Sequence, residues 1–62
     1  MSIPVLVIGL GSMGKRRIRN LQALGFNQIS GFDKREDRAL EAKDLYKINT
    51  FTDFEEAFRN SY

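Results

Sequence analysis

Ile3-Pro4-Val5-Leu6-Val7-Ile8-Gly9-Leu10-Gly11-Ser12-Met13-Gly14 is the stretch on which the reading of this chain turns. Its first half is a nearly continuous apolar run rich in Val and Ile, the pattern of a strand covered on both faces in a parallel sheet. Pro4 has no amide hydrogen and is expected at the start of that strand, where a missing donor is tolerated. The second half sets three glycines in the order G-x-G-x-x-G. Gly is common and the bare spacing arises by chance, so the flanking elements must carry any claim built on it.

Downstream, Gly14, Ile18, Leu21 and Gly25 recur at helical steps and predict a helix over about residues 12–24, with Lys15, Arg16, Arg19 and Gln22 turned to water. Gly25 is expected to cap its C-terminus. Residues 28–33, Gln-Ile-Ser-Gly-Phe-Asp, read as a second strand ending in an acid. A second helix over residues 35–46 would pack through Ala39, Ala42 and Leu45 or Tyr46, and residues 48–51 form a short third strand. Asp53 and Glu56 resemble a capping box opening a last helix whose apolar stripe is Phe54, Ala57 and Phe58. The order is β-α-β-α-β-α. The expected class is therefore α/β, a partial Rossmann arrangement on a parallel sheet and an incomplete doubly wound fold, with residues 1–62 as the N-terminal part of a dinucleotide-binding domain.

With 62 residues the chain is one small domain at most, and such a domain buries only about 60% of the surface its unfolded chain exposes. It has no Cys and no His, which removes disulfides and the usual nitrogen and sulfur metal ligands. The apolar run is too short and too soon broken for a signal peptide or a membrane span, so the expectation is a cytoplasmic protein with no membrane partner. The net charge of +2 is unevenly spread: all 8 acids lie from Asp33 onward, while Lys15, Arg16, Arg17 and Arg19 crowd behind the glycines. That basic cluster suits an anion, and equally a solvated helix face. It has no aromatic stacking platform beside it, so nucleic acid is not the expected partner.

Each glycine has its own physical task in a strand-turn-helix unit: Gly9 for the tight turn, Gly11 for backbone approach to a pyrophosphate, Gly14 for close helix-strand packing. Amides near Ser12 and Met13, at the positive end of the helix dipole, would face the same phosphates. Asp33 follows the last glycine by about twenty residues, where an acid accepts hydrogen bonds from the adenosine ribose. A turn or helix-capping role is open to the same carboxylate. Asp33 favours NAD, while Lys34 and Arg35 could pair with the extra phosphate of NADP, Arg35 being the residue best placed to reverse the choice. The expected cofactor is NAD, with NADP as the alternative.

Gly-Leu-Gly-Ser-Met-Gly-Lys-Arg-Arg-Ile-Arg-Asn-Leu, from Gly9 to Leu21, with Phe32-Asp33 and Thr52-Asp53-Phe54-Glu55-Glu56-Ala57, resembles the N-terminal part of the Gfo/Idh/MocA oxidoreductases. Arg17 and Ile18 depart from that family's common pattern of a histidine and a small residue. A Gly-Leu-Gly-x-Met-Gly start is also shared with the hydroxyisobutyrate dehydrogenase family, whose basic run and spacing to Asp33 are less similar. The resemblance implies an NAD(P)-dependent oxidoreductase acting on a sugar or polyol, with a lysine of a later Glu-Lys-Pro segment and a second domain at the reaction centre. No such segment occurs in these residues. Lys15, Lys34, Lys43 and Lys47 are therefore read as surface charges, no catalytic or metal residue is assigned, and the chain by itself is expected to be inactive. The alternative function is a non-catalytic nucleotide-binding or protein-docking module that self-associates or docks on the remainder of a parent chain through an uncovered sheet edge.

Overall fold

The computed structural model describes residues 3–60. Six elements alternate along it: β1 (Val5–Ile8), α1 (Ser12–Ala23), β2 (Ile29–Phe32), α2 (Glu36–Tyr46), β3 (Asn49–Phe51) and α3 (Phe54–Asn60). The strands form one parallel sheet in the order β1-β2-β3, with Val7 opposite Gly31 and Gly31 opposite Thr50. This is the partial Rossmann-like βαβαβα arrangement expected from the sequence.

β1 opens at Val5, whose amide donates to the Gln28 carbonyl at 2.9 Å, and Pro4 stands outside the ladder because it has no hydrogen to donate. β2 is central and buried along its whole length. Its alternate residues face opposite ways. Ile29 joins Val7, Leu10, Ile18, Ala39, Ala42 and Ile48 in one core, so α1 and α2 share a face of the sheet. Phe32, on the other face, meets Phe54 of α3 edge to face at 5.4 Å.

Local chemistry ends each helix. After α1 the Gly25 amide donates to the Gln22 carbonyl and the Phe26 amide to that of Leu21, the paired bonds of a Schellman motif, with Gly25 at φ +95°. α2 ends on Lys47 in the left-handed region, its amide bonded to the Lys43 carbonyl. At the start of α3, Asp53 Oδ1 accepts the Glu55 amide at 3.0 Å.

One packing alternative is resolved and one expectation is corrected. Tyr46, rather than Leu45, reaches the core of α2, and Leu45 is exposed. The stripe of α3 is only half used, since Ala57 is buried while Phe54 and Phe58 remain 49% and 52% exposed. α3 sits against β2 and β3, leaving Ile8 of β1 63% exposed on its outer face, so Phe58 has little sheet to cover.

Candidate functional site

The glycine turn lies where the C-terminal end of β1 meets the N-terminus of α1, next to the end of β2. Gly9 has φ +90°, a conformation that costs an L side chain strain, so the tight-turn role is met. At Gly14 an added Cβ would collide with the Gly9 carbonyl oxygen and lie 2.8 Å from its carbon. Helix and strand therefore touch through this position, and only hydrogen fits. Gly11 is extended and caps α1 without a side-chain bond, and no acid lies in the first turn. The amides of Ser12, Met13 and Gly14 thus present an uncompensated positive helix end.

Leu10, between the first two glycines, is held from two sides. Its side chain is fully buried and fills the space over Gly31, where an added Cβ would come within 2.8 Å of Leu10 Cδ2. Its amide donates to Asp33 Oδ2 at 2.9 Å, while Asp33 Oδ1 accepts the Arg35 amide at 2.9 Å. The Gly9 amide bonds the Phe32 carbonyl and the Asp33 amide bonds that of Phe51, so the ends of all three strands are tied together here.

Asp33 is only 8% exposed. Burial pushes its carboxyl group up, but the amides of Arg35 and Leu10 and the cations of Arg38 and Arg35 outweigh it and hold the group below the usual aspartate value. The two basic residues expected beside it are placed differently from each other. Lys34 is exposed. Arg35 turns to Asp37, donating from Nε at 3.1 Å and from Nη2 at 2.7 Å, which raises the arginine and lowers the aspartate.

The residue that approaches the turn is one the sequence reading passed over. Arg38 of α2 has Nη1 3.9 Å from Asp33 Oδ2 and 3.6 Å from where a Cβ on Gly11 would stand. It therefore lies between the glycine turn and the acid. A helical position five residues beyond the strand-end acid, facing back toward it, was the available signal. Arg38 also lines an open groove of about 880 Å³ with Gly9, Gly11, Ser12 and Met13, a size suited to a small-molecule ligand. Lys15 of α1 is ion-paired to Glu41 of α2, and Arg16, Arg17 and Arg19 are exposed. Among the described residues no helix is long and apolar enough to cross a membrane, and no group of acids is placed to hold a metal ion.

A parallel βαβ unit with a glycine turn, a bare helix N-terminus and a strand-end acid is the nucleotide-binding half of a Rossmann-like domain. Residues 4–61 match the family model described as "NADP oxidoreductase coenzyme F420-dependent", and the chain belongs to that family. It is accordingly an NAD(P)-binding oxidoreductase domain. No curated protein and no solved structure matches the chain.

The match corrects the resemblance to the Gfo/Idh/MocA oxidoreductases, since the family is a different one, and it lends no support to a sugar or polyol substrate. The physical reason lies in where that resemblance sat. Gly9, Gly11, Gly14 and Asp33 serve dinucleotide folds in general. Arg16 and Arg19, in its more distinctive helical part, project into solvent where the fold constrains them little.

Proposed function

We propose that this chain forms the adenosine-diphosphate end of the nucleotide site of an oxidoreductase and that the nucleotide is NADP. The observation that carries the choice is the exchange of roles beside Gly11: Asp33 turns both carboxylate oxygens onto backbone amides, and Arg38 places its guanidinium on the ligand side. A free strand-end acid would repel a 2′-phosphate; an engaged acid with an arginine in front of it attracts one. In this reading the amides of Gly11, Ser12 and Met13 hold the pyrophosphate, with Gly9 and Gly14 shaping the turn. Arg38 pairs with the 2′-phosphate, and exposed Lys34 adds positive charge nearby. When bound, the nicotinamide donates or accepts hydride, and coenzyme F420, named in the family's description, is the hydride partner this reading supplies.

The test is a titration of the chain with NADP and with NAD, followed through the amide resonances of Gly11 to Met13. NADP should bind more tightly, and Arg38→Ala should weaken NADP about tenfold while changing NAD little, as loss of one charge-assisted contact implies. Tighter binding of NAD than of NADP would overturn the choice of nucleotide. No movement of these amides with either one at millimolar concentration would overturn the site.

A further inference from the structure

Asp33 is the buried ionisable group for which ribose reading leaves the most unexplained. Its two oxygens accept amides from two separate loops, Leu10 in the glycine turn and Arg35 at the N-cap of α2. Leu10 is the residue between Gly9 and Gly11, and its side chain is locked over Gly31. Pinning the Leu10 amide therefore fixes the Gly9–Leu10 peptide plane, and with the side chain locked it holds the turn in shape toward a phosphate. Arg35 leads directly into the helix that carries Arg38. One carboxylate thus sets both walls of the groove, the amide wall through Leu10 and the guanidinium wall through α2.

We infer that Asp33 is a positioning residue for phosphate binding, holding the glycine turn and the start of α2 in their binding shape, and that it does not read the ribose. The inference rests on nucleotide binding at this turn, as proposed above, and not on which dinucleotide binds. Its chemistry is preorganisation: a turn already held in shape loses less freedom when the ligand arrives. An isosteric amide cannot substitute for the carboxylate, because Asn offers one acceptor oxygen where two amides need partners.

The probes are ADP and 2′,3′-dideoxy-ADP, which carry the same phosphates and differ only in the ribose hydroxyls. In the native chain the two should bind alike, and Asp33→Asn should weaken both by the same factor, about tenfold for an amide left without its acceptor. Because the two ligands have equal charge, the charge lost in the variant cancels from their ratio. Native-like methyl resonances of Leu10 and Ile48 would show that the variant is folded. Selective weakening of ADP, with dideoxy-ADP unaffected, would overturn the inference.

A measurement on the native chain needs no variant. The side-chain carboxyl carbon of Asp33 should respond equally to the two ligands, and a shift seen with ADP alone would overturn the positioning role. Failure of the native chain to bind either ligand would instead remove the nucleotide site itself, and this role with it.

Discussion

The rim of the sheet at the glycine turn and the outer face of β1 adjoin at the end of one four-residue strand, yet they are built to opposite standards. At the rim, Leu10 is fully buried, Gly14 leaves no room for a methyl group, and Asp33 joins two loops. On the outer face Ile8 is 63% exposed, and Phe54 and Phe58 stack at 6.2 Å with about half of each in solvent. A small domain has little apolar surface to bury. Here the fit is closest where a ligand would need fixed backbone dipoles, and loosest on the apolar face beyond them.

The largest break in that contrast should come from Gly14→Ala. The new methyl group would meet the Gly9 carbonyl, and backbone cannot yield as the end of a flexible side chain can. The expected cost is about 3 kcal/mol or more, comparable to the roughly 3–5 kcal/mol that a single core of this size supplies. Circular dichroism and amide dispersion should show loss of the fold. Gly25→Ala, just beyond the other end of α1, is the control. It has open space around it and only its positive φ to satisfy, so about 1 kcal/mol is expected. Equal losses at the two sites would mean that the rim is no tighter than an ordinary helix end.

Much of this contrast was legible in the residues, because it depends on backbone. The apolar run before Gly9, the helical recurrence of Gly14 and Ile18, and the acid at the end of β2 specify strand, helix and turn through local preferences. Asp33 was legible both as a ribose acceptor and as a turn or cap residue, and choosing between those roles needed the distance to Leu10, far away in sequence. Arg38 was not legible as part of the site. Among the arginines, sequence places Arg35 nearest to Asp33, but Asp37 lies two residues beyond Arg35 and captures its guanidinium, leaving α2 to bring Arg38 back toward the turn. The half-used stripe of α3 was hidden for a similar reason. Helical spacing shows which side chains share a face, but not how far the opposing sheet extends beneath them.

Acid should loosen the rim by a smaller amount. The Asp33 carboxyl is held below its ordinary value in the folded chain, so its contribution is complete above the unfolded value near pH 4 and is lost as the pH falls through the lower folded value. Asp37 is shifted in the same direction, but its pair with Arg35 is exposed and should add little. Urea midpoints between pH 5 and pH 2.5 should fall more steeply for the native chain than for Asp33→Asn. Identical slopes would show that the carboxylate contributes nothing to the stability of the rim.

The smallest effect is expected on the outer face. Ile8→Thr keeps a β-branched side chain in β1, opposite Phe32 in the register, and removes apolar surface that already lies mostly in solvent. Its cost should stay within about 0.5 kcal/mol, measured by urea unfolding at a dilution that keeps the chain monomeric. A loss above about 1 kcal/mol that grows with protein concentration would show that Ile8 is covered in solution. The outer face would then be a contact between copies of this chain, and the looseness that separates it from the rim would belong to the isolated chain alone.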